Sequence, residues 1–236
     1  MIKHSIYIFL LSSLIITLYG CAVHSPMSEM LMFQKKKSLD GRYYRARYSQ
    51  TLISSTSNLY PKKPIENYAR RLSPETPGES YDYSTPQTFT TNAILISDKT
   101  DKFATSLAVG NVLGIDATAR ILGDLYITGT ISGYEKAQGQ LIVQERILDG
   151  NPVGFSVGAT YLRNYNMVYA GGSDCVLCYP STDFYSHSIG IRTLVMLTPA
   201  SPYGIGRPFL YATGSYNYDI TMDLFYPRIG LALGFY

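Results

Sequence analysis

From residue 102 onward the chain follows a two-residue rhythm with unequal faces. In "FATSLAVG", Phe103, Thr105, Leu107 and Val109 share one face, and Ala104, Ser106, Ala108 and Gly110 share the other. "IDATARI" sets Ile115, Ala117, Ala119 and Ile121 against Asp116, Thr118 and Arg120. "VGFSVGATY" sets Val153, Phe155, Val157, Ala159 and Tyr161 against Gly154, Ser156, Gly158 and Thr160. A period of two is the period of a β-strand, whose successive side chains point to opposite faces. A soluble sheet buries its apolar face and shows water a second face rich in charge. Here the second face is Gly, Ala, Ser and Thr with an occasional Arg or Asp, which makes a poor solvent surface and a reasonable narrow lumen. The apolar face then meets lipid. No water is present in a bilayer core to satisfy a sheet edge, so such a sheet must close into a barrel.

The composition agrees with that reading. Only 16% of residues are charged, against roughly 25% in an ordinary soluble domain. The formal charge of +3, with Lys35, Lys36 and Lys37 as the only pronounced basic run, gives no basis for nucleic-acid binding.

Further alternating segments are "LYITGTIS", "QLIVQERIL", "SIGIRTLVML", the Tyr-rich "PFLYATGSYNYDI" and the last residues, "RIGLALGFY". Counted together they predict eight strands over 102–236. Pro152, Pro208 and Pro227 fall where strands begin, a place that tolerates a residue without an N–H. If residue 102 starts in the periplasm, the inside turns are 122–124, 149–152 and 199–207. The outside connections are 111–114, 133–139, 163–187 and 221–226. The longest connection falls outside, as it does in outer-membrane barrels. Residues 21–101 read as a largely irregular tether, in which "TNAILIS" at 91–97 is a candidate short strand and no helix of convincing length is evident.

The final strand, alternating Ile229, Leu231, Leu233 and Phe235 with Arg228, Gly230, Ala232 and Gly234, resembles the C-terminal targeting signal of outer-membrane barrels. Residues 102–236 as a whole resemble the small eight-stranded barrels of the OmpA transmembrane-domain and OmpX type. The resemblance implies an all-β, antiparallel, up-and-down transmembrane barrel. It also implies contact with outer-membrane lipid and with the barrel-assembly machinery through the last strand. At the other end, Lys3 and His4 precede an apolar run over 6–18, which suits a secretory signal. That run ends in Leu18-Tyr19-Gly20-Cys21, which resembles the lipobox of bacterial lipoproteins. The resemblance implies a signal peptide over 1–20, acylation of Cys21 and anchoring in the outer membrane.

Residues able to carry chemistry are few. Cys175 and Cys178 lie in the predicted outer loop, and an oxidising compartment lets them pair. A local disulfide that stiffens the loop is the preferred reading, with free thiols and a metal site as alternatives. A closed zinc site wants four ligands, and only Asp174, Asp183 and His187 are near in sequence. Asp183, Ser186, His187 and Ser188 supply the residue types of a nucleophile and base, so a lipid-modifying enzyme is one competing reading. A soluble lipocalin-like lipoprotein holding a small apolar ligand is another. Asp116, Arg120 and Arg192 are predicted to face the lumen as a charge cluster, since buried charges need partners. Tyr161, Tyr165, Tyr185, Tyr211 and Tyr226 read as part of an aromatic girdle near strand ends. No cofactor is expected, and the sequence points to a structural or surface-interaction role without enzymatic activity.

Overall fold

A computed structural model describes residues 28–29, 46–72, 88–100, 102–110, 113–133, 137–149, 152–169, 180–197 and 208–235. They form one closed antiparallel barrel of ten strands in sequential order. These are β1 (Ala46–Asn58), β2 (Thr88–Lys99), β3 (Phe103–Gly110), β4 (Leu113–Leu122) and β5 (Leu125–Ser132), then β6 (Gln138–Asp149), β7 (Val153–Tyr169), β8 (Pro180–Leu197), β9 (Pro208–Asp219) and β10 (Leu224–Phe235). Closure is made by β1 against β10, with Ser57 opposite Ile229 and Ser55 opposite Leu231.

Three sequence expectations need correcting. The strand number is ten rather than eight, because Ala46–Asn58 and Thr88–Lys99, inside the expected tether, are the first two staves. A helix, α1 (Lys62–Leu72), joins them. Pro64 sits in its first turn, where the absent N–H has no intrahelical partner to lose. Much of the long connection over 163–187 is strand: β7 and β8 pair from Val153 opposite Leu197 out to Tyr169 opposite Pro180.

The facing follows the alternation. Ile53, Ile96, Ile115, Ile131, Val143, Ile191, Phe225, Ile229 and Leu231 are exposed on the outer wall, Ile191 by 69%. Ser54, Thr56, Ser106, Asp116, Thr118, Thr128, Thr130, Gln144, Thr160, Arg192 and Asn217 are buried inside. The interior also holds Ile142, Leu162, Leu194 and Met196, each fully buried. No helix among the described residues is long and apolar enough to cross a membrane, which says nothing of a barrel.

The two ends differ. At the end holding the start of β1 and the finish of β10 (the terminal end), the described turns are tight. The β2–β3 turn is closed by the Thr100 N–H donating to the Phe103 carbonyl at 2.7 Å. The β4–β5 turn needs Gly123, whose φ of +55° only a residue without Cβ adopts freely. At the opposite, loop end lie α1 and the 220–223 turn.

Candidate functional site

The lumen is the part of the molecule where polar groups converge. Eight strands give an interior that side chains just fill, and the diameter grows with strand number. The ten-stranded lumen takes in Ser28 and Glu29, which precede β1 and are wholly buried. The Ser28 N–H donates to Asp116 Oδ1 at 2.6 Å, and its hydroxyl lies 2.9 Å from Thr118 Oγ1. Ser106 donates to the other Asp116 oxygen at 2.5 Å. Glu29 meets Arg192 in a two-pronged pair, Nη1 to Oε1 at 2.5 Å and Nη2 to Oε2 at 3.0 Å. The Tyr211 hydroxyl donates to Glu29 Oε2 at 2.9 Å and accepts from Arg192 Nη2 at 2.6 Å. Arg192 Nη1 also donates to Gln144 Oε1 at 3.2 Å. That bond crosses the strand between them at Gly158, the register partner of both residues. A Cβ on Gly158 would collide with the Val143 carbonyl oxygen and the Gln144 backbone.

Of the three charges expected in the lumen, Asp116 and Arg192 are buried there, but on separate partners. Arg120 is elsewhere. It shares their inward parity, yet β4 ends beside it and its side chain is 39% exposed, near Asp124. Asp124 also pairs with Arg146, and the Arg146 guanidinium lies 5.3 Å from the Tyr126 ring centroid. The residues that sequence reasoning missed are Glu29, Gln144, Tyr211 as a lumenal hydroxyl, and the buried Arg228. Arg228 and Gln144 carried a usable signal, their inward parity opposite Ile229 and Val143 on their strands.

A small apolar cluster lies at the loop end. Tyr60, Ile65, Met222, Leu224 and Tyr226 are buried together, with Tyr68 and Phe184 against them. Ile65 and Tyr68 lie one helical turn apart on α1, so one face of the helix supplies both. The Tyr60 and Tyr226 rings are 4.1 Å apart and the Tyr68 and Phe184 rings 4.8 Å. Asp219 shapes the turn that presents Met222: its Oδ1 accepts the Thr221 and Met222 N–H groups at 3.0 and 2.9 Å. Burial pushes the Tyr60 hydroxyl well above the usual tyrosine range, and Tyr226 beside it adds to the shift.

On β8 the alternation separates the residues that could have formed a nucleophile and base. Ser186 and Ser188 are buried, bonded to Asn166 and Asp219 respectively. His187 points outward, its Nδ1 2.7 Å from the Tyr161 hydroxyl. Asp183 accepts from the Tyr165 hydroxyl at 2.5 Å. The barrel wall therefore stands between each serine and the histidine. The same outer stretch carries the Arg163 guanidinium 4.2 Å from the Tyr185 ring and the stacked pair Tyr216 and Phe225. Cys21, Cys175 and Cys178 lie outside the described residues. Among the described residues no group of three or more His, Cys, Asp and Glu is placed to hold a metal.

No protein-family model matches the chain, and no curated protein matches it. The solved structure of Neisserial surface protein A is similar at a TM-score of 0.30 and 12% identity, over 80% of this chain and 97% of that one.

Proposed function

We propose that this chain is a non-enzymatic outer-membrane β-barrel lipoprotein with a structural or surface-interaction role. The observation that carries the reading is the inside-out wall: large aliphatic and aromatic side chains outside, hydroxyls, amides and charges inside. That distribution is costly in water and favourable in lipid. Outer-membrane lipid is then the principal partner, with the terminal end in the periplasm and the loop end at the cell surface. Cys21 is acylated, and the last strand is what the barrel-assembly machinery engages.

The occupied lumen supports a structural role over a pore, since the Glu29 network and the α1 cluster both fill it. β7 and β8 have 17 and 18 residues, against about 9–11 needed to span. Their surplus projects beyond the loop end and offers the surface for an external partner. The separation of Ser186 and Ser188 from His187 speaks against a lipid-modifying enzyme.

The test is gel mobility of the mature chain carrying Cys21→Ser, refolded in detergent, with and without boiling. A membrane barrel resists SDS unheated and shifts once boiled. A protein that folds in plain buffer with no heat-dependent shift would sink the proposal. Metabolic labelling with palmitate, lost in the Cys21→Ser chain, tests the anchor separately.

A further inference from the structure

Among the described residues three arginines are buried in the barrel: Arg146, Arg192 and Arg228. Arg146 has Asp124 and Arg192 has Glu29. Arg228, on β10 and 9% exposed, has no carboxylate, and its Nη1 is enclosed without an acceptor. Its ionisable neighbours include Tyr226, Tyr60, Arg192 and Tyr211. Glu29 is engaged by Arg192 and Tyr211, and Asp219 by Thr221, Met222 and Ser188. A guanidinium cannot relieve this by shedding its proton. A buried cation without a counter-charge is strongly unfavourable.

The surroundings of Arg228 supply donors. Asn58 on β1 and Ser215 on β9 are its register partners on the two adjoining strands. Ser215 Oγ already accepts from Asn217 Nδ2 at 2.9 Å, which leaves its hydroxyl hydrogen to donate. Asn58 Oδ1 is buried without a partner; a half-turn of an amide exchanges its oxygen for its NH2, and the site takes Asn58 in that second orientation. The next residue in the row is another cation, Arg192, opposite Ser215.

We propose that Arg228, Asn58 and Ser215 form a lumenal site for one small monovalent anion of the halide class. The ion sits between the Tyr60–Tyr226 rings at the loop end and the Arg192–Tyr211–Glu29 network below. It supplies the negative charge that no described residue places beside Arg228. Three donors on one face suit a spherical monovalent ion better than phosphate or sulfate, whose several oxygens each call for donors.

The test uses the full chain refolded in detergent, in sodium chloride, bromide or gluconate at equal ionic strength. The unfolding midpoint rises and saturates with chloride or bromide and stays flat in gluconate. Arg228→Met abolishes the dependence, while Ser215→Ala raises the half-saturating chloride concentration about tenfold. Bromide-soaked crystals show anomalous density beside Arg228. Equal midpoints in chloride and gluconate, or bromide density elsewhere only, would overturn the site. A response to acetate or phosphate but not to halide would overturn its ligand class. If Arg228→Met fails to fold, the Ser215→Ala titration and the bromide density still decide. The barrel reading rests on the heat-dependent gel mobility of the parent chain, which none of these outcomes decides, so it stands or falls separately.

Discussion

Replacing Glu29 with glutamine tests whether the segment before β1 holds the barrel from within. The substitution preserves shape and removes one charge. Glu29 is fully buried and accepts from Arg192 Nη1 at 2.5 Å, Arg192 Nη2 at 3.0 Å and the Tyr211 hydroxyl at 2.9 Å. Breaking a buried pair from one side costs about 3–5 kcal/mol, because the remaining charge is stranded. Arg192 keeps the Gln144 and Tyr211 oxygens, which places the loss at the lower end, about 3 kcal/mol, or more than a hundredfold in the unfolding equilibrium. The chain has no Trp, so urea unfolding in lipid vesicles is followed by far-ultraviolet circular dichroism or by the gel shift. With a slope of about 2 kcal/mol per molar urea the midpoint falls by about 1.5 M. The double variant Glu29→Gln with Arg192→Met removes both charges and recovers most of the loss. A single variant within about 0.5 kcal/mol of the parent would refute the lumenal pair.

Deleting residues 22–45 removes Ser28 and Glu29 ahead of β1; conductance across planar bilayers rises, and an unchanged conductance counts against the plugged lumen. Leu231→Arg, on the outer wall, costs about 2–4 kcal/mol in vesicles, whereas Ala232→Ser, facing inward, is tolerated; equal effects would mean that Leu231 does not face lipid. Gly158→Ala drives a Cβ into the Val143 carbonyl and the Gln144 backbone and abolishes the heat-modifiable species, while Gly129→Ala, with nothing within 4 Å of its Cβ position, leaves it intact. Ile65→Ala lowers stability by about 2–4 kcal/mol and speeds proteolysis within α1, and protection equal to the parent's would show that α1 is not seated on the barrel.

The strands readable in the sequence were those with one lipid-type face. Phe103–Gly110, Val153 through Tyr161 and Ile229 through Leu233 alternate large apolar with small residues, and the structure faces them accordingly. β1 was invisible because "ISSTSN" puts Ser55 and Ser57 on the outer face and Ser54, Thr56 and Asn58 inside, so both faces look polar. The outer half of β7 and β8 reads as loop in the sequence for a related reason: beyond the apolar belt Asn164 and Asn166 are buried, and no apolar contrast remains to mark the alternation. Arg120 had the right parity but sits where β4 ends in a turn. Glu29 could not be assigned from pattern, since its partners Arg192 and Tyr211 are 163 and 182 residues away. The serine–histidine constellation failed on parity alone: residues one apart on a strand face opposite ways.

The position of Ser28 and Glu29 also constrains the order of assembly. Their partners lie on β4, β8 and β9, while the seam that closes the ring joins β1 to β10. Threading a charged side chain into a finished ring would strip Glu29 of water before Arg192 could receive it. Laying the segment across an open sheet lets the pair form while both groups are still hydrated at the edge. On this argument the β1–β10 seam is expected to pair last, the ring wrapping around its filling.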